Sequence, residues 1–161
     1  MTAAPRSRKV CALLAAVFFA LGSAASLQAA TTERIVKDPG TGLALYGFDP
    51  VAYFTDATAK AGLPELEYRF AGVTWRFLNV GNRAAFVANP EVYMPRFGGY
   101  DPLGVARGVA TPGNPQLWVR RGNRIYLFYR EETQAAFSAD PQPIVEAAEK
   151  RWPAVMNELV Q

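Results

Sequence analysis

Two segments of this 161-residue chain, 51 positions apart, carry the same order of residues. In each, a strand-like run ends in an aromatic residue and leads into Ala-Ala-Phe, and a proline follows the phenylalanine four positions later. The first copy runs from Trp75 to Pro90 and the second from Tyr126 to Pro141. Either the chain contains a twofold strand–strand–helix repeat, or a short alignment of common helix residues has arisen by chance.

A hairpin signal leads into each copy of the pattern. Glu67–Phe70 and Val73–Phe77 alternate apolar and polar residues on either side of Ala71-Gly72. Leu117–Arg120 and Arg124–Tyr129 do the same around a turn that contains glycine and asparagine. Alternation with a period of two, interrupted by a short glycine-containing turn, predicts two β-hairpins.

Helix signals surround both hairpins. Asp before proline predicts a short helix over Pro50–Phe54, and Asn79 is placed to cap a helix that Pro90 ends. Glu131–Ala139 predicts another, and Pro143–Leu159 a last amphipathic helix with a kink or break at Pro153. We expect an α+β fold, in which the two hairpins form one small antiparallel sheet, with helices on one face and a C-terminal helix.

The N-terminus has the order of a secretion signal. Three basic residues in the first nine precede the apolar run Val10–Leu21, and small and polar residues follow up to Ala30. This order predicts a signal at residues 1–29, cleaved after Ala29, and a periplasmic or secreted protein. An uncleaved anchor is the alternative, because the uncharged stretch is just long enough to span a bilayer. Residues 30–45 then form a lead-in segment, and residues 46–161 a single domain.

Removing the signal changes the chemistry of the chain. Three of its 17 basic residues leave with the signal, so 14 remain against 14 acidic residues. No basic field is left to attract nucleic acid or an anionic membrane. The only cysteine, Cys11, also leaves, and the chain has no histidine. The mature domain therefore has no disulfide, no Cys- or His-based catalysis and no Cys or His metal site, and we expect no cofactor.

A Gly/Pro-rich segment, residues 95–115, separates the two copies of the repeat. It is dense in glycine and proline, yet it carries Phe97, Tyr100 and Leu103. Long segments of this composition often carry function. The alternative is that the aromatic residues fill the core while the glycines turn corners.

The residues around this segment are similar to those of exported YHS-domain proteins. Gly47–Phe54 resembles the family's Gly-[Tyr/His]-Asp-Pro-Val-Ala-Tyr-Phe opening. The similarity covers nearly all of the mature chain and continues at these places: Asn82–Phe86, Asn89–Pro95, Arg96–Tyr100, Gly104–Gly108, Trp118, Tyr126-Leu127 and Trp152-Pro153. The resemblance implies the family's fold and an exported location.

The chain departs from this family where metal would bind. Metal-binding members of the wider YHS group are similar in having a Phe-Cys-Ser-x-x-Cys pattern at this point. Leu78 and Asn82 occupy the positions of its two cysteines. Asp101 stands where exported members often have cysteine, and Phe48 where some have histidine. A metal role inherited from the family would have to use oxygen ligands alone.

The candidate site residues are two aspartates, two arginines and two tyrosines: Asp49, Tyr53, Arg96, Tyr100, Asp101 and Arg107. Each aspartate precedes a proline, which favours a turn or helix cap over a cation ligand. The arginines could clamp an anion together with backbone amides, or could form ion pairs with the aspartates. The tyrosines, with Trp75, could line a pocket, but such positions more often belong to the core.

These features predict a non-enzymatic binding module that recognises a small ligand or a protein partner through residues 95–115. Metal binding through oxygen ligands is the alternative implied by the wider YHS group. A hydrolase-like enzyme that uses paired carboxylates, such as Asp49 with Asp101 or Glu91, is a third hypothesis, although the spacing of these residues gives it no support. The identity of the ligand or partner is left open.

Overall fold

The computed structural model describes Met1 and residues 33–159. Apart from Met1, the predicted signal and its cleavage point lie outside the described residues, as does Cys11. Four strands are described: β1 Leu63–Phe70, β2 Val73–Phe77, β3 Asn114–Arg121 and β4 Arg124–Phe128. Six α-helices accompany them: α1 Ala52–Thr55, α2 Val80–Ala88, α3 Pro90–Tyr93, α4 Pro102–Ala106, α5 Glu131–Ala139 and α6 Pro141–Glu158. Two 3-10 turns, Leu45–Gly47 and Arg96–Gly99, precede α1 and α4.

Both predicted hairpins form, and the α+β class is confirmed. Ala71 and Gly72, which join β1 to β2, both have positive φ, the geometry that matches the twist of a tight hairpin. The two hairpins do not join, however: within residues 33–159 they form two separate two-stranded sheets instead of the one expected. One reason is that the Ala44 N–H donates to the Thr74 carbonyl at 2.8 Å, so residues 43–44 lie along the outer edge of β2.

The repeat is confirmed by the positions of the elements. β1, β2 and α2 begin and end 51 residues before β3, β4 and α5. Both hairpins have a register irregularity at the same point, after Leu63 in one and after Asn114 in the other. The described chain therefore contains two ββα units of the same design.

The duplication also extends upstream, into residues that the sequence comparison did not align. Leu45–Gly47 and Phe97–Gly99 lie 52 positions apart, with φ of 49°, 55° and 83° in the first and 54°, 61° and 90° in the second. Each left-handed turn is followed by an aromatic residue, an aspartate and a proline. The Gly/Pro-rich segment is thus the second copy of a turn-and-helix unit.

One phenylalanine fixes each helix on its own hairpin. Phe86 of α2 lies 4.9 Å from Trp75 and 5.2 Å from Phe77, measured between ring centroids. Phe137 of α5 lies 4.8 Å from Tyr126 and 5.1 Å from Phe128 in the equivalent arrangement. These aromatic groups lie in two apolar cores, and the first core also includes Ile125 and Leu127 of the second hairpin.

The last helix covers the second core. Ala148 and Val155 are buried on its inner face, and Trp152 packs edge-on against Phe97 at 5.7 Å. The helix begins at Pro141, and it runs through Pro153 without a break. Among the described residues, none of the helices combines the length and the apolar character that a membrane span needs.

Candidate functional site

Asp49 is fully buried and binds three donors. One carboxylate oxygen accepts from the Val51 N–H at 2.8 Å, which caps the turn into α1. The other accepts from the Leu78 N–H at 2.7 Å and from the Asn82 side-chain amide at 2.6 Å. The carboxylate therefore joins the turn before α1 to the end of β2 and to α2. Asp49 caps a turn, one of the two predicted roles, whereas the helix predicted over Pro50–Phe54 begins at Ala52 without a side-chain cap.

Asp101 forms the same network in the second unit and is 1% exposed. One oxygen accepts from the Leu103 N–H at 2.8 Å, as the N-cap of α4. The other accepts from the Tyr129 N–H at 2.9 Å and from the Thr133 hydroxyl at 2.6 Å. Both aspartates are thus engaged within their own units, and among the described residues no hydrogen bond joins one carboxylate to the other.

Asn82 and Thr133 complete these networks, although neither is among the six candidate site residues. They lie 51 positions apart, at equivalent points near the starts of α2 and α5. The repeat spacing was the signal that could have found them. Asn82 also stands where the resemblance to metal-binding YHS members would require a cysteine; here its amide is a hydrogen-bond donor to Asp49.

The two candidate tyrosines are core residues whose hydroxyls tie distant segments together. Tyr53 is 1% exposed, donates to the Pro115 carbonyl at 2.9 Å and packs against Trp118. Burial, with the charge of Asp49 adding to it, raises the pKa of Tyr53 above its usual range. Tyr100 donates to the Glu33 carbonyl at 2.6 Å. Burial, together with Glu33, raises the pKa of Tyr100 to about 12.

These shifts predict that the domain loses stability in alkali. Because the pKa of Tyr100 is raised in the folded state, its contribution is complete below the unfolded value of about 10 and is lost as pH rises through about 12. We expect Tyr100→Phe to reduce the fall in unfolding free energy between pH 8 and pH 11, measured by urea titration. Tyr129→Phe, at an exposed position, is the control. An equal alkaline fall in Tyr100→Phe and the unchanged protein would contradict the prediction.

The Gly/Pro-rich segment is largely ordered as a 3-10 turn, α4 and the start of β3. Phe97 and Tyr100 are 4% and 5% exposed, so these two aromatic residues fill the core. The expected ion pairs with the buried aspartates do not form: within residues 33–159, Arg96 pairs with Glu149 instead. Arg107, at the end of α4, is exposed.

Arg96 instead opens onto a cleft of about 580 Å³. The cleft lies where the first hairpin turn, α3, the second 3-10 turn, the start of β4 and α6 meet. Its lining combines charged and apolar side chains: Arg34, Ile35, Ala71, Glu91, Met94, Pro95, Arg96, Phe97, Gly98, Arg124, Trp152 and Met156. Of the six candidate site residues, Arg96 alone lines this cleft.

A second groove, of about 530 Å³, lies on another part of the surface. It is lined by uncharged residues: Tyr46, Phe48, Pro112, Gly113, Asn114, Pro115, Gln116 and Tyr129. It holds the far end of the Gly/Pro-rich segment. This groove is therefore a second candidate binding site beside the arginine-lined cleft.

Neither cavity brings metal ligands together. Among residues 33–159, no group of three or more Cys, His, Asp or Glu side chains is placed to hold a metal ion. All four oxygens of Asp49 and Asp101 already accept hydrogen bonds from the protein. Comparison with known protein families, with curated proteins and with solved structures found no match to this chain. The geometry of the cavities therefore decides which function is best supported.

Proposed function

We propose that this chain is an exported, YHS-like domain that works as a non-enzymatic binding module. Its ligand site is the cleft at the beginning of the Gly/Pro-rich segment, and its ligand is a small molecule. The observation that carries the proposal is the lining of the cleft, in which arginines 34, 96 and 124 face the same space as Phe97 and Trp152. A volume of about 580 Å³ lies in the range typical of small-molecule sites.

The composition of the lining fits binding better than catalysis. Small-molecule sites combine apolar walls with a few polar groups that orient the ligand. Acid–base catalysis commonly uses histidine or a pair of carboxylic acids, whereas the charged residues of this lining are three arginines and the single carboxylate of Glu91. The metal alternative has no comparable support, since the buried carboxylates are occupied by protein donors.

The proposal is tested with N-phenyl-1-naphthylamine, a neutral apolar dye that fluoresces when it leaves water. We expect the mature domain to bind the dye and Met156→Glu to weaken binding by about tenfold or more, because a carboxylate placed in the apolar wall resists desolvation. Met156 lies in the C-terminal half of α6 and is half-buried, so the change is confined to the wall of the cleft. The measurement is a fluorescence titration at constant protein concentration.

Tyr129→Glu is the matched control, because it places the same carboxylate in the wall of the second groove. Tyr129 is 58% exposed, so the variant is expected to fold. Dye binding that survives Met156→Glu but is lost in Tyr129→Glu would move the site to the second groove and overturn the proposal. Circular dichroism of each variant separates lost binding from lost structure.

A further inference from the structure

The cleft carries a local excess of positive charge, although the net charge of the domain is near zero. Three of the lining side chains are arginines and one is a glutamate. The part of the chain after the predicted signal has equal numbers of basic and acidic residues. Because Glu149 also pairs with Arg96, the three arginines exceed the neighbouring carboxylates Glu91 and Glu149 by one, and this local excess attracts an anion without making the whole surface basic.

Two of the three guanidinium groups are held in position by other parts of the protein. The Arg124 side chain donates to the Glu91 carbonyl at 2.7 Å. Arg96 pairs with Glu149 of α6 and lies 5.6 Å from the ring centroid of Phe97. A guanidinium has five N–H donors, so each of these contacts leaves donors for a ligand. Arginines fixed in this way lose less entropy when they bind an oxyanion.

The cleft also has an apolar wall. Phe97 and Trp152 meet edge to face at 5.7 Å, and Met94 and Met156 extend the same wall. Thioether and aromatic side chains adapt to apolar bodies of different shape. A ligand that uses both parts of the lining therefore combines an oxyanion for the arginines with a hydrocarbon or aromatic body for the apolar side chains.

We infer that the cleft binds an amphiphilic organic anion, with its oxyanion on the arginines and its apolar body against Trp152 and the methionines. The inference rests on the function proposed above and specifies its ligand class. Carboxylates and phosphates share the required headgroup chemistry, since both accept paired N–H donors from arginine. The small volume and the neutral domain exclude the extended contact that a nucleic acid would need.

The test compares two dyes with the same apolar body. 8-Anilinonaphthalene-1-sulfonate carries an oxyanion, and N-phenyl-1-naphthylamine lacks it. We expect the anionic dye to bind about tenfold or more tightly than the neutral one, and to lose affinity as salt is raised. Arg34→Gln and Arg124→Gln should each remove most of the difference in affinity between the two dyes.

Arg130→Gln is the matched control, because it removes the same charge from an exposed residue outside the cleft. Displacement of the anionic dye by 1-naphthoate or by 1-naphthyl phosphate then identifies the headgroup. If the two dyes bind equally, or if neither naphthyl anion competes, the ligand class is wrong while the binding function stands. If neither dye binds in the cleft, the proposed function itself fails.

Discussion

Replacing Asp49 with alanine is expected to lower the unfolding free energy by about 3–5 kcal/mol, because the three donors that it accepts would be left buried without an acceptor. For a domain of this size that is a fall of about 10–20 °C in melting temperature. Since domains have a total stability of about 5–15 kcal/mol, the variant should be close to unfolding. Thermal and urea denaturation, followed by circular dichroism, measure the effect.

Asp101→Ala should cost about the same, 3–5 kcal/mol, because its three donors have the same arrangement. Asp140→Ala is the control: this aspartate also precedes a proline, but it is exposed and makes no capping hydrogen bond to α6. It should change stability by less than about 0.5 kcal/mol. If Asp49→Ala and Asp140→Ala had similar effects, the buried networks would not hold the units together. Lost ligand binding with unchanged stability would instead make Asp49 a site residue.

Gly98→Ala should destabilise the domain by about 2–5 kcal/mol, from backbone strain and overpacking together. Gly98 has φ of 61°, and a Cβ built there would lie 1.9 Å from the backbone carbonyl oxygen of Arg34. The contact is to backbone, so the lead-in segment around Arg34 must move, and with it the hydrogen bond from the Val36 N–H to the Gly98 carbonyl. Because Arg34 lines the cleft, affinity for the anionic dye should fall as well. Denaturation and dye titration measure the two effects.

Gly108→Ala measures the cost of backbone strain without a steric clash. Gly108 also has a positive φ, 82°, but a Cβ there would meet no atom within 4 Å. We expect a cost of about 1–2 kcal/mol from strain alone. Equal losses at the two glycines would show that the approach of Arg34 to Gly98 adds nothing to the cost.

The duplication explains why the aspartates attract attention in the sequence without forming a shared site. Each unit needs one buried carboxylate to join its left-handed turn, its hairpin and its helix. The proposed binding cleft lies elsewhere, at a place where the two units differ: Arg124 begins β4, whereas Val73 begins β2 at the equivalent position. We therefore expect ligand-binding residues at positions where the two units carry different side chains.

The sequence by itself determined the local elements. Alternation around Ala71-Gly72 fixed the first hairpin, and Asn79 fixed the start of α2, where its side chain accepts from the Asn82 N–H at 2.8 Å. These signals are reliable because the interactions that produce them span only a few residues. The 51-residue spacing identified the duplication for the same reason, since each copy repeats its own local pattern.

Only the tertiary structure decided which distant residues meet. The networks of the two aspartates join groups 28 to 33 positions apart, and the cleft assembles arginines from positions 34, 96 and 124. No local sequence pattern encodes these long-range contacts, because they depend on how the hairpins, turns and α6 pack. The separation of the two sheets has the same origin: the edge of β2 is taken by residues 43–44, which no strand propensity could reveal.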